Sequence, residues 1–279
     1  MSAVRADAAY RREGFAEGYF AHWEPVLTRP ALSLLDALES QGVNTGGRVL
    51  DIGAGTGLIT IELLRRWPAS TVVACDTATA MLQVIRRRAS DLGLGDRVEV
   101  LEGDAEALPL AEGSVDVAVS SFVFQLVPDR GRALREAWRV LRPGATLGYV
   151  TWLARTDTFE PGVAVDSVLG EDLSIDLTGG KPKAGDVPSL GPAGRELEEA
   201  GYTAIRVTPG SLDEAWTVDR YLAYVEGCRN VSAFAGLDDQ RADALRARLR
   251  EALEAVPSAA FIQRDRVVWA IGRRPDPAA

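Results

Sequence analysis

Histidine and cysteine are almost missing from this chain: His22 stands alone, and only Cys75 and Cys228 carry thiols among 279 residues. Two cysteines cannot build a disulfide framework, and neither has neighbours at metal-ligand spacing, so a cross-linked secreted scaffold and a cysteine-held metal centre are excluded. Cys75 lies in the apolar run TVVAC and reads as a buried structural thiol. No uninterrupted apolar stretch approaches the roughly 20 residues of a membrane span. The first residues carry Arg5, Asp7, Arg11, Arg12 and Glu13 without an apolar segment, unlike a secretory signal, and a reducing cytoplasmic setting is expected. A basic face is lacking too. The net charge is −9, and the basic residues are dispersed among acids, so a nucleic-acid backbone finds nothing to neutralise it. Arg86-Arg87-Arg88, the densest basic cluster, reads as a solvated helix face. A small-molecule partner is expected, on a monomer or homodimer, with no metal.

What is present is a substantial apolar fraction, 47%, and one informative stretch, Val49-Leu50-Asp51-Ile52-Gly53-Ala54-Gly55-Thr56-Gly57. An apolar run, an acid, three alternate glycines and the helical segment Leu58–Trp67 read as strand, tight turn and helix start, where open α/β sheets bind ligands. A dinucleotide loop spaces its glycines G-x-G-x-x-G so that a pyrophosphate rests on the helix N-terminus. Here the third glycine comes one residue early and Leu58 occupies its usual place. The loop therefore suits a ligand without phosphate that passes close over bare backbone.

Strand and helix signals alternate through residues 48–152, which predicts a parallel sheet covered on both faces. Strands are predicted at Arg48–Ile52, Thr71–Asp76, Val98–Glu102, Val115–Ser121 and Thr146–Trp152, with helices at Leu58–Trp67, Ala78–Leu92 and Arg130–Leu141. The last helix stops at Arg142-Pro143-Gly144, which reads as a turn. Residues 5–40 look helical, broken near Glu24-Pro25 and Arg29-Pro30, and carry Tyr10, Phe15, Tyr19, Phe20 and Trp23, too many aromatics for a solvated leader. Residues 153–191 are rich in Gly, Pro and Asp and read as irregular, with Gly179–Pro188 a loop. A helix at Ala193–Ala200, a strand at Tyr202–Thr208, helices at Val218–Val225 and Asp239–Ala255, and a final strand at Arg266–Gly272 follow. The two late strands would pair antiparallel at one sheet edge beneath a helical cap. That gives a doubly wound, mostly parallel seven-stranded α/β sheet: a helical lid over 1–45, a binding core over 46–152, and cap insertions plus the last strands over 153–279, in one integrated domain.

At the end of the second predicted strand, Asp76 can accept both hydroxyls of a ribose or cap the next helix, with Thr77 available for the same capping. After the third, the Asp104 carboxylate suits an exocyclic adenine amine and the Ala105 N–H an adenine ring nitrogen. Met81 and Leu82 are spaced to lay an apolar side chain on the purine. VLDIGAGTG, VVACD with Met81-Leu82, EGDAEALPL, SVDVAVSSFVFQLVPD and ALREAWRVLRPGATL stand in the order found in class I S-adenosylmethionine-dependent methyltransferases. Over about residues 45–152 the chain resembles the small-molecule branch, of the ubiquinone- and menaquinone-biosynthesis type. The resemblance implies a Rossmann-like methyltransferase fold and S-adenosylmethionine as cofactor. By resemblance, Gly53, Ala54, Gly55 and Gly57 would hold the methionyl part with Asp51 orienting its ammonium. Asp76 and Thr77 would take the ribose, Met81, Asp104 and Ala105 the adenine, while Ser120, Ser121 and Phe122 would line the cofactor.

Ser120-Ser121-Phe122-Val123 departs from the Asn/Asp-Pro-Pro-Tyr/Phe of base and glutamine methyltransferases and lacks the acids of metal-dependent catechol enzymes. Gln125 stands where many small-molecule relatives have histidine. His22 remains as the one candidate general base or, alternatively, a packing residue. Tyr19 and Trp23 are either core or pocket-closing rings near the sulfonium. Arg155, Asp157, Tyr221, Tyr224, Cys228 and Phe234 are candidate acceptor-lining residues, and Trp216 a cap anchor. A nicotinamide dehydrogenase, a cofactor-retaining relative that transfers no methyl, and a non-catalytic binding scaffold are the competing readings.

Overall fold

The computed structural model describes residues 14–43, 46–154, 158–173 and 187–277; Tyr10, Arg155, Asp157 and the expected loop up to residue 186 lie outside them. In chain order, α1 (Phe15–Gly18) runs through a π-helical turn, Tyr19–Trp23, into α2 (Glu24–Ser40). Then come β1 (Arg48–Ile52), α3 (Leu58–Arg66), β2 (Thr71–Asp76), α4 (Thr79–Asp91), β3 (Val98–Glu102), β4 (Val115–Ser121), α5 (Arg130–Val140) and β5 (Leu141–Trp152). The second part carries α6 (Glu160–Leu173), α7 (Leu190–Glu199), β6 (Thr203–Ala215), α8 (Val218–Tyr224), a π-helical turn at Val225–Arg229, α9 (Val231–Phe234), α10 (Asp239–Glu254) and β7 (Ile262–Arg273).

The sheet order is β3-β2-β1-β4-β5-β7-β6, parallel from β3 to β5, with β7 antiparallel to both β5 and β6. Strand neighbours reverse direction in sequence between β1 and β4, so the crevice beyond their carboxyl ends is where a ligand enters such a sheet. Because helices cover both faces, β1, β2 and β4 are nearly continuous apolar runs. Alternation still sorts side chains: Val49 joins the cluster with Leu34, Leu35, Leu38 and Leu63, whereas Leu50 joins Leu134, Ala137 and Leu197 on the opposite face.

Tertiary packing overrides local signals in three places. The leader is not broken at Pro25 or Pro30. Pro25 sits in the first turn of α2, where no hydrogen bond is lost, and Pro30 lies inside the helix. Burial of Leu34, Leu35 and Leu38 against the sheet, each contributing about 1.5–3 kcal/mol, outweighs one missing bond, and Trp269 donates to the Pro30 carbonyl at 2.8 Å. Strand β5 begins at Leu141 rather than Thr146. Leu141 pairs with Val115 and Thr146 with Val117, so the Arg142-Pro143-Gly144 turn bulges out within the strand. Third, α6 crosses a segment read as irregular from its glycines. Val165 and Leu169, four apart and fully buried, form the stripe that holds it.

The leader and the cap meet at two glycines. A Cβ on Gly18 would stand 1.7 Å from the Gly227 carbonyl oxygen, so the π-helical turns of leader and cap cross at backbone contact. Among the described residues no helix is long and apolar enough to cross a membrane.

Candidate active site

Three positive φ values, 68° at Gly53, 54° at Gly55 and 88° at Gly57, fold the loop between β1 and α3. The N–H groups of Gly53 and Ala54 both donate to the Cys75 carbonyl at 2.8 and 3.0 Å, and the Gly57 N–H closes onto the Ala54 carbonyl at 2.9 Å. Asp76 completes the brace: Oδ2 accepts from Gly55 N at 2.8 Å and Oδ1 from Ala78 N at 2.9 Å. The helix-capping role of Asp76 is thus occupied, and Thr77 is exposed beside it. An ionised carboxylate has about four acceptor positions, so Asp76 keeps capacity for a further donor. Burial raises its pKa, opposed by these backbone N–H groups.

The loop bounds a narrow cleft lined by Tyr19, Glu24, Leu27, Asp51, Gly53, Ala54, Gly55, Thr56, Leu58, Ile59 and Ser121. Asp51, 1% exposed at the end of β1, accepts from Thr60 Oγ1 at 2.6 Å. Burial pushes its carboxyl up to about 7; the Thr60 hydroxyl works against that shift and neighbouring Asp76 adds to it. Glu24 is equally enclosed, bonded to the Thr56 hydroxyl and, at 2.9 Å, to Arg88 Nη1. Arg88 also donates to the Thr56 carbonyl at 2.7 Å, so it is not part of a solvated face. Glu24 and Arg88 escaped sequence reasoning because their partners are 32 and 64 positions away. An acid buried beside Pro25 in the first turn of a helix was the available signal.

The structure brings Tyr19, Asp51, Gly53, Ala54, Gly55 and Ser121 together at the cleft. Gly57 lies behind it, where a Cβ would meet Ile85 at 3.0 Å. Ser120 is turned away, its hydroxyl donating at 3.0 Å to the Ile52 carbonyl between β1 and β4. Met81 packs with Phe15, Ala16 and Cys228, and Leu82 with Ala54, Ala74 and Ile85, so both occupy the core. Asp104 is exposed, its Oδ1 accepting from Glu106 N at 2.8 Å, and Ala105 is buried beside it. Phe122 holds a positive φ of 57°. Gln125 pins that turn, donating to the Phe122 carbonyl and accepting from Thr151 Oγ1, each at 2.6 Å.

Next to Ser121 in sequence, Phe122 opens a cluster of packed aromatic rings that lie outside the cleft lining. Phe122 lies 4.3 Å from Trp152, Trp23 stacks on Tyr224 at 4.8 Å, and Tyr224 stacks on Trp216 at 5.2 Å. Trp216 is buried and donates to Gln263 at 2.9 Å, which anchors the cap on β7. Tyr221 packs edge-on against Trp216 and Phe159, Cys228 joins the Met81 cluster, and Phe234 lies under Arg246. His22 is not among the lining residues. It rests on the cap, where a Cβ on Gly227 would stand 2.9 Å from its Cδ2. Burial pushes both thiols, Cys75 and Cys228, up to about 12, and neither is a nucleophile. No group of three His, Cys, Asp or Glu among the described residues is placed to hold a metal ion.

Residues 49–144 match the family model described as a methyltransferase domain. The chain is 42% identical over 111 residues to the ubiquinone/menaquinone biosynthesis C-methyltransferase UbiE of Hahella chejuensis, covering 39% of this chain and 45% of that protein. It is 32% identical over 159 residues to the malonyl-[acyl-carrier protein] O-methyltransferase of Xylella fastidiosa, covering 57% and 47%. It therefore spans about half the length of the curated relatives it matches. In fold it is similar to the solved phosphoethanolamine N-methyltransferase 2 of Haemonchus contortus in complex with S-adenosyl-L-methionine, with TM-score 0.54, 19% identity, and 89% of this chain and 53% of that chain covered.

Proposed function

We propose, from the premise that residues 49–144 form a class I methyltransferase domain, that this chain binds S-adenosylmethionine and transfers its methyl group to a small molecule. The observation that carries this reading is the charge of the cleft: two carboxylates, Asp51 and Glu24, a loop of bare backbone, and no Lys or Arg in the lining. A pyrophosphate would meet Asp51 with no cation opposite it, since Arg88 offsets only Glu24. S-adenosylmethionine brings a sulfonium and an ammonium against one carboxylate, and its net positive charge complements them. Gly53, Ala54 and Gly55 then offer backbone to the methionyl end, Asp76 a remaining acceptor to the ribose, and Asp104 and Ala105 their carboxylate and N–H to adenine.

In this reading the rings of Phe122, Trp152, Trp23 and Tyr224, packed against one another, enclose the acceptor and exclude water. The acceptor atom attacks the methyl carbon opposite sulfur. As the new bond forms, the S–CH3 bond breaks and its electron pair stays on sulfur, so the sulfonium charge disappears. Positioning and desolvation supply the acceleration, since the thioether leaves readily and no metal takes part. In this reading residues 1–45 act as lid, 46–152 as cofactor core, and 153–279 as acceptor cap with the last two strands, in a single unit.

Calorimetry with S-adenosylmethionine and NAD, followed by transfer of labelled methyl into a panel of phenols, amines, carboxylic acids and activated carbon acids, tests the proposal. S-adenosylmethionine is expected to bind in the micromolar range and labelled product to appear. Tighter binding of NAD, or binding without label transfer to any panel member, overturns it. His22 is assigned to packing on Gly227. His22→Gln is expected to leave the transfer rate within about threefold, whereas a general base is worth about 100-fold or more. A loss of that size in the single-turnover rate would return His22 to the chemistry.

A further inference from the structure

The leader delivers a carboxylate to the glycine loop and anchors it by only one of its two oxygens. Glu24 is 6% exposed, at the start of α2. Its Oε2 accepts from the Thr56 hydroxyl and from Arg88 Nη1, and that same nitrogen donates to the Thr56 carbonyl. Oε1 makes no hydrogen bond among the described residues. It is also not sealed in: the Tyr149 hydroxyl is the one fully buried side-chain polar atom without a partner among them. Glu24 lines the cleft, and Oε1 is its carboxylate oxygen without a partner among the described residues.

A carboxylate that served only to latch α2 onto the loop would gain by pairing both oxygens, because burying an unmatched charge is costly. Here Arg88 offsets one charge while Asp51, in the lining of the same cleft, has only the neutral Thr60 as its hydrogen-bond partner among the described residues. With all three ionised, the group carries a surplus of one negative charge facing the cleft. A compact cation with several donors satisfies it; an anion or a neutral apolar group does not.

We infer that Glu24 grips the cofactor. Held by Arg88 and Thr56, it joins Asp51 in receiving the α-ammonium of the methionyl end, and the contact fastens the leader over the glycine loop. This rests on the proposed cofactor. Arg88 is a positioning residue: it touches the Glu24 carboxylate and the loop carbonyl and aims the former. The arrangement makes lid closure conditional on an amino-acid ligand, because the helix that carries Glu24 also carries Tyr19 and Trp23 to the cleft and the aromatic wall.

The test is a cycle between protein and ligand on the full chain. Calorimetry compares S-adenosylhomocysteine with its analogue lacking the α-amino group, on the unmodified protein and on Glu24→Gln, which keeps an acceptor for Thr56 but no charge. Removing the amino group is expected to cost the unmodified protein about 100-fold in affinity and Glu24→Gln only about tenfold, a coupling of about tenfold typical of a charged hydrogen bond. Glu24→Asp, which retains charge with shorter reach, is expected to fall between and carries the test if the glutamine variant melts below the assay temperature. An equal penalty in all three proteins overturns the role of Glu24 while leaving the cofactor site standing. Failure of the unmodified protein to bind S-adenosylhomocysteine overturns both.

Discussion

Replacing Asp51 by Asn is expected to make the protein more stable at pH 8 and to cost it at least about 100-fold in affinity for S-adenosylmethionine. The carboxyl is enclosed at the end of β1 with the Thr60 hydroxyl as its donor, and burial pushes it up to about 7. In the unfolded chain an aspartate ionises near 3.8. Below that value both states hold the proton and the group is neutral in its effect. From there to about 7 the unfolded chain has released its proton and the folded protein has not, so stability falls as pH rises. Above about 7 the whole cost is incurred, on the order of 4 kcal/mol. Asn keeps an acceptor for Thr60 and carries no charge, so part of that cost is recovered and Tm at pH 8 rises by several degrees; near pH 4.5 the gain shrinks to about a quarter of that. Affinity moves the other way, since an ammonium left without its carboxylate loses a desolvated partner. In the unmodified protein the same ionisation makes cofactor affinity climb about tenfold per pH unit up to about pH 7 and then level off. Thermal melts of both proteins from pH 4.5 to 8.5, with calorimetry across the same range, check this. Parallel melting curves, or affinity independent of pH, would contradict it.

Gly53→Ala is expected to lose about 3–4 kcal/mol of stability and all detectable methyl transfer, by two mechanisms that a neighbouring residue separates. At φ 68° any side chain is strained, and a Cβ there would stand 2.3 Å from Val123 Cγ2 and 2.6 Å from Cγ1. Relief requires Val123, with Phe122 and the end of β4 at Ser121, to retreat from the loop. Gly55 has a similar φ of 54° but nothing within 4 Å of its added Cβ. Gly55→Ala therefore carries only the backbone strain, about 1–2 kcal/mol. Urea titration of the two variants measures the difference. Equal losses would mean that the approach of Val123 is not what demands glycine at 53.

Strong local patterns made much of the core legible. β1 to β4 run over the residues expected; for β1, β2 and β4 the reason is that strands buried on both faces are short, nearly continuous apolar runs, whereas β3 is a half-exposed edge strand whose apolar residues alternate with acids. The glycine loop and Asp76 were readable for a related reason, since turn geometry and strand-end chemistry are written within a few adjacent residues. Where local and global preferences conflict, the pattern misled. Pro30 suggested a helix break, yet Leu34, Leu35 and Leu38 bury enough surface to carry α2 through it. Glycines hid α6, although Val165 and Leu169 already had helical spacing. Ser120 illustrates a finer limit, because alternation places it on a face but does not say that the Ile52 carbonyl is waiting there. Gln125 looked like a missing base, and only its contacts with Phe122 and Thr151 reveal a brace.

By itself, the sequence determined the sheet and its glycine loop and pointed to a ligand without phosphate, because each follows from residues close together along the chain. Tertiary structure alone decided the rest of the cleft. It brought Glu24 and Arg88 onto Thr56, set His22 against Gly227, and stacked Trp23 on Tyr224. Those pairings join residues tens to hundreds of positions apart, and nothing in local spacing encodes them. They arise only when packing has chosen which face of the leader turns inward, and that choice made Glu24 and Leu27 of α2 a wall of the cleft.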